Sequence, residues 1–177
     1  MSGTLVVQNL QGPASGANAN KIIVPAGQVL DASAGTLVPS AGGVIQVANV
    51  YSTNGISVTS TTRISLDSYS FTPVGTASKF VITFFLQANW GGSPAGFGAY
   101  MYRNGVEIAA SGNSHSVYIN TVSDTYQGSS WSFIDNSGST AGTPITFELR
   151  AQPYSPSLVQ FSWASQSRGF VIMEIAG

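Results

Sequence analysis

Lys79-Phe80-Val81-Ile82-Thr83-Phe84-Phe85-Leu86-Gln87-Ala88 is the stretch that decides the fold. Phe80, Ile82, Phe84 and Leu86 recur at every second position, which is the period of an extended strand. The intervening Val81, Thr83 and Phe85 are also apolar or β-branched. A strand that is apolar on both pleats lies in the centre of a sandwich or at a subunit interface, because neither face suits water. The segment therefore predicts a central strand, with Val81 and Phe85 covered by another copy of the chain.

Working outward, Gly96-Phe97 through Ala110 reads as a hairpin around Asn104-Gly105. That dipeptide suits a type I′ turn, where both central residues need positive φ. The expected register pairs Arg103 with Val106, Tyr102 with Glu107, and Met101 with Ile108. Phe97, Met101, Val106 and Ile108 would then share the core face, and Tyr100, Tyr102 and Glu107 the other. Val44–Val50, Ile64/Leu66, Val117–Ile119, Trp131–Phe133, Ile145–Ala151, Val159–Trp163 and Phe170–Ile172 are further strand candidates. In Ile145–Ala151, Thr146, Glu148 and Arg150 point outward. Turn signals separate these runs at Gly112-Asn113, Asp135–Gly138, Ala141–Pro144 and Pro153–Pro156. The Gly-rich run Gly91–Gly98 lacks the Lys-Ser/Thr of a phosphate loop and reads as a connection between strands. No window reads as an amphipathic helix. The pattern predicts an all-β chain, an antiparallel sandwich or barrel of the jelly-roll kind.

The first 45 residues differ from the rest. They hold no aromatic residue and two charges, Lys21 and Asp31. Ile23-Val24-Pro25-Ala26-Gly27-Gln28-Val29-Leu30 resembles Leu37-Val38-Pro39-Ser40-Ala41-Gly42-Gly43-Val44-Ile45: an apolar piece, a Pro/Gly turn, another apolar piece. Two such units cannot build a core alone. The expected organisation is a short, extended, β-rich stalk or anchor at 1–45, ordered by association through Val24 and Val38, and a head at 46–177.

Composition narrows the function classes. Charged residues make up 7% of the chain, against about 25% in an ordinary soluble domain. Ser, Thr, Gly and Asn replace them, which predicts surface hidden against copies of the same chain. The six cations are scattered, so no nucleic-acid footprint is expected. No apolar run approaches a membrane span, and no basic amphipathic helix suggests membrane association. The chain has no cysteine, which excludes disulfides and thiolate metal sites. Met1-Ser2-Gly3-Thr4 does not begin a signal peptide. The expected birthplace is a cytoplasm.

Met101-Tyr102-Arg103-Asn104-Gly105-Val106-Glu107-Ile108 resembles a hairpin of the trimeric tip domains of phage fibres. So do Ser129-Ser130-Trp131-Ser132-Phe133-Ile134-Asp135, Ile145-Thr146-Phe147-Glu148-Leu149-Arg150 and the ending Phe170-Val171-Ile172-Met173-Glu174-Ile175-Ala176-Gly177. Gln28 to Ser40 is similar to low-complexity N-terminal segments of marine phage virion proteins. The resemblance implies a homotrimeric jelly-roll head, similar in shape to the C1q and tumour-necrosis-factor heads. It also implies a place on a virion and contact with a host surface. Full fibre genes usually add a long shaft or a tail-binding domain. That leaves tail fibre, short spike and capsid-mounted fibre all open.

Candidate chemistry is sparse. His115 is the one histidine, and Ser114 and Ser116 point away from it on a strand, so it makes neither a triad nor a metal site. The acids Asp31, Asp67, Glu107, Asp124, Asp135, Glu148 and Glu174 show no close pairing of the kind glycan hydrolysis uses. No calcium loop is present. Trp90 and Tyr126 fall in predicted loops and are the candidate contacts for a host glycan or protein. The expectation is a non-enzymatic homotrimer without cofactor or metal, located on the virion and bound to other virion proteins through its N-terminal segment. Its head binds the host cell surface. Rival readings are a purely structural capsid decoration or head-fibre protein, a surface depolymerase, and a cellular lectin of jelly-roll type.

Overall fold

The computed structural model describes residues 14–16, 41–90, 95–110, 117–119, 125–154, 158–162 and 167–177. From Ala41 onward these belong to one compact unit, Val38–Gly177. Its strands are β1 (Val44–Ser52), β2 (Ile56–Val58), β3 (Ile64–Phe71), β4 (Lys79–Trp90), β5 (Ala95–Arg103) and β6 (Val106–Ala110). They continue with β7 (Val117–Ile119), β8 (Thr125–Asp135), β9 (Ile145–Pro153), β10 (Val159–Phe161) and β11 (Arg168–Ile175). There is no helix among the described residues. Val24, Val38, His115, Trp163 and most of the expected stalk lie outside the described residues.

The strands form two antiparallel sheets. In the first, β4 is central. Along one side it pairs with β11 through Lys79–Phe85 and then with β10 through Ala88–Trp90. Along the other it pairs with β8 from Phe80 to Trp90. β1 flanks β11, and β2 flanks β10. In the second sheet the order is β3-β9-β5-β6, with β7 on the same side of β5 as β6. The chain passes repeatedly between the two layers, and the inner pleats meet as one core.

That core follows from the alternation. Phe80, Ile82, Phe84, Leu86 and Ala88 have at most 1% exposure, and Phe147, Leu149 and Ala151 of β9 face them with none. Phe71, Phe80 and Phe147 pack edge to face with centroids 5.5–6.3 Å apart, joining β3 and β9 to β4. Phe97 and Phe161 do the same at the other end, 5.5 Å apart. Edge-on aromatic pairs set the ring's positive rim against a neighbour's negative face, which adds orientation to plain burial.

The hairpin departs from its expected register after two pairs. Arg103 faces Val106 and Tyr102 faces Glu107, as anticipated, but Met101 faces Ala109, not Ile108. A β-bulge puts Ile108 in excess, which kinks and twists the strand. Val106, although paired with Arg103 as expected, is not in the core: it is 66% exposed, at the tip of the strand beside the turn. The Gly-rich run is also partly regular, since Gly96-Phe97-Gly98 belong to β5.

Candidate functional site

Register places Val47, Met173, Val81 and Ile134 side by side across β1, β11, β4 and β8 on the outer pleat. The next row is Asn49, Val171, Thr83 and Ser132, and the next Tyr51, Gly169, Phe85 and Ser130. Val47, Tyr51 and Ile134 are each 58–60% exposed, and Val44 is 50% exposed beside them. Val81, Phe85, Val171 and Met173 are half-buried. The charge on this face is Lys79, at its rim opposite Ile175. Thr83 and Ser132 satisfy each other through a 2.7 Å hydroxyl hydrogen bond, which removes two polar groups that would otherwise call for water.

β8 borders this face and pairs with β4 alone among the described strands. Its 11 residues contain no Pro or Lys to blunt a free edge. Trp131 stacks on Phe84 at 5.3 Å, and Phe133 lies edge-on to the same ring at 6.2 Å. Both remain half-buried at the rim of the core, as do Ile108 and Ala109 of β6.

The scarce charges are mostly engaged within the molecule. Each of the four arginines pairs with an acid: Arg63–Glu107 at 2.5 Å, Arg103–Asp135 at 2.7 Å, Arg150–Glu148 at 2.7 Å and Arg168–Asp67 at 2.8 Å. Arg168 is 3% exposed and ties β11 to Asp67 and the Leu66 carbonyl of β3 and to the Asn54 carbonyl. Burial pushes the Asp67 carboxyl up, and Arg168 only partly offsets this. The hydrogen bond from Arg150 holds Glu148 below the usual carboxylate range. Arg63 lies 3.5 Å over the Tyr100 ring, and Arg150 lies 4.1 Å over that of Tyr102. These guanidinium lids explain why two tyrosines on an outer pleat are only 4% and 9% exposed.

Trp90 and Tyr126 are strand residues, not loop residues: Trp90 ends β4 and Tyr126 lies near the start of β8. Trp90 faces Thr125 and Val159, whereas Tyr126 faces Asn89, so the two positions belong to opposite pleats. The two β-rich segments carry regular pairing to their ends, which the Gly and Asn residues nearby conceal in the sequence. Val81 and Phe85 do share one face, the outer one. Sequence reasoning missed Val47, Tyr51, Ile134 and Met173, which complete that face. Alternation along β11 and β1 was visible, but cross-strand adjacency was not. Among the described residues, no group of three or more His, Asp or Glu could hold a metal ion.

No protein-family model matches the chain, and no curated protein matches it. Solved structures do. Dimeric latent PorU from Porphyromonas gingivalis is similar at a TM-score of 0.45 and 11% identity, over 89% of this chain and 15% of that one. The VP2 subviral particle of infectious bursal disease virus is similar at 0.37 and 14% identity, over 92% of this chain and 49% of that one. The Gx strain of the same virus gives 0.37 and 14%, over 86% and 47%. The chain thus spans a small part of the first and about half of the other two.

Proposed function

We propose that this chain is a virion structural protein, a homotrimeric fibre or spike with a jelly-roll head that contacts the host cell surface. The single observation that carries the self-assembly is the largely apolar face across β1, β11, β4 and β8, where Lys79 at the rim is the charge among the described residues. Four strands about 4.8 Å apart and three rows of residues span roughly 300–400 Å². That is near the largest patch an ordinary monomer exposes. It is also about half of the ~800 Å² per partner that a stable interface uses. Trp131 and Phe133 of β8, half-buried at the rim of the core beside this face, extend it along the β8 border. Face against border is a heterologous contact, the kind that closes into rings.

The strand orders β1-β11-β4-β8 and β3-β9-β5-β6 are those that two nested Greek keys produce, which favours the jelly roll over other sandwiches. The trimer number and the virion location rest on the resemblance to phage fibre tips. The N-terminal segment would anchor the head to other virion proteins. Binding, not catalysis, is the proposed mode of action. In support, Asp67, Glu107, Asp135 and Glu148 are held by arginines. Three weak sites on one head, and several heads per particle, give avidity.

Light scattering on the full chain at micromolar concentration tests the assembly: three copies are expected, and a stable monomer overturns it. Immunogold labelling of intact particles tests the location, with gold at fibres or spikes expected. Label spread over the whole capsid favours the decoration role, and no label on particles overturns the virion reading.

A further inference from the structure

At the end of the sandwich opposite Trp90 and Tyr126, three connections border an open cleft of about 420 Å³. It lies between the β3–β4 segment, the β5–β6 turn and the β8–β9 segment, and Thr76, Arg103, Asn104, Ser137, Thr140 and Thr143 supply its polar lining. Ala77, Pro144 and Ile145 supply an apolar part. The volume falls in the range of about 300–1,000 Å³ usual for small-molecule sites.

The walls are fixed by hydrogen bonds between the segments, not by packing alone. Ala77 N–H donates to Ser139 O at 2.8 Å, and Gly142 N–H to Pro73 O at 2.9 Å. Asn104 N–H donates to Thr146 O at 2.8 Å, while Thr146 N–H donates back to Asn104 Oδ1 at 2.9 Å. Each connection also holds a residue at positive φ: Ala77 at 60°, Asn104 at 49° and Gly138 at 71°. For Gly138, and for Asn104 in its turn, that conformation carries little strain; at Ala77 it is a strained one that its surroundings hold in place. A site held this way needs little ordering on binding.

The charge inside the cleft is already balanced. Arg103 Nη1 donates to Asp135 Oδ2 at 2.7 Å, and Nη2 to the Gly138 carbonyl. Asp135 Oδ1 accepts from both the backbone N–H and the hydroxyl of Ser137. An anionic ligand would meet a cation that is already paired, and a cationic ligand an acid that is nearly buried. Two of the five N–H donors of Arg103 have partners among the described residues. The exposed hydroxyls of Thr140 and Thr143 add groups that can both donate and accept. A neutral ring with hydroxyls on its edge and C–H groups on its face matches this lining.

We propose that this cleft binds a neutral sugar residue. The inference rests on the host-surface reading and deepens it, by placing a glycan site at the Arg103 end and not at Trp90 or Tyr126. With no aromatic platform in the lining, one site binds at about millimolar strength, so three copies per head are needed for useful avidity.

Saturation-transfer NMR on the full chain tests it, with methyl glucoside, methyl galactoside and N-acetylglucosamine as probes and glucuronic acid as the anionic control. The expected result is transfer to at least one neutral probe, reduced at least fivefold in Thr140→Val/Thr143→Val and unchanged in Trp90→Ala. Both threonines are exposed, so circular dichroism should show that fold intact; if it does not, Thr143→Ser with restored transfer serves instead. No transfer to any neutral probe, a preference for glucuronic acid, or transfer that survives the threonine changes overturns the proposal. The scattering mass is independent of this readout, so failure here leaves the trimer reading standing.

Discussion

Glu174 has no exposed surface, yet it carries an acid. Its carboxylate accepts from Gln46 Nε2 at 2.7 Å, Val74 N–H at 3.0 Å and Gly75 N–H at 2.8 Å. Burial pushes its pKa up, but these hydrogen bonds outweigh burial and hold it below the ordinary glutamate value. A depressed pKa contributes stability above the unfolded value, about 4.3, and that contribution is lost as pH falls through the folded value. Glu148, also depressed, acts in the same direction. Asp67, which is raised, acts oppositely, favouring the fold in its protonated form. Glu174→Gln should cost about 1.5–3 kcal/mol at neutral pH and flatten the acid limb of the melting temperature measured by calorimetry. An unchanged acid limb would place the titration elsewhere. At the Arg168–Asp67 pair, Asp67→Ala leaves a buried guanidinium without its partner and should cost about 3–5 kcal/mol. Replacing both residues by Leu should cost less, as read from urea unfolding.

Two glycines show how an element decides what a residue is worth. Gly105 sits in the β5–β6 turn at φ 81°, and a Cβ there would meet nothing within 4 Å. Gly105→Ala therefore strains only its own backbone, by about 1–2 kcal/mol. Gly169 sits in β11 at φ 152°, and a Cβ there would lie 1.9 Å from the Val50 carbonyl oxygen of β1. Gly169→Ala must push β1 away from β11, and should cost more than about 3 kcal/mol and lower hydrogen-exchange protection along β1. Equal losses for the two variants would refute the distinction. The same pair shows what was legible. Asn104-Gly105 announced its turn because a two-residue hairpin needs positive φ. Gly169 carried no such signal, since its constraint comes from a strand more than 100 residues away. The bulge at Ile108 was equally silent, because register beyond a turn is set by the partner strands.

Across the whole molecule, the four arginines pair with four of the acids, and a fifth acid, Glu174, is buried. Among the described residues, the exposed surface is then mostly hydroxyls, amides and the broad face across β1, β11, β4 and β8, with Lys79 at its rim and the Arg63–Glu107 pair partly exposed. A lysine at Ile134 or Val47 would be hydrated in an isolated protomer, since both positions are more than half exposed. In an assembly built on this face it would be buried without a counter-charge. Ile134→Lys and Val47→Lys should therefore leave the circular dichroism spectrum unchanged and shift the scattering mass toward one copy. Retention of the wild-type mass by both variants would move the interface off this face.

The sequence by itself determined most of the strands, though not β2 or the ends of β4 and β8, together with the Asn104-Gly105 turn, the core pleat of Lys79–Ala88 and the outer pleat at Val81 and Phe85. These are local properties, fixed by a two-residue period and by turn stereochemistry. Only the tertiary structure decided the rest. It set Val47, Met173, Val81 and Ile134 in one row, gave each arginine its acid, placed Trp90 and Tyr126 on opposite pleats, and gathered three connections around Arg103. Adjacency between strands distant in the chain depends on sheet order and register, which the packing of the two layers selects.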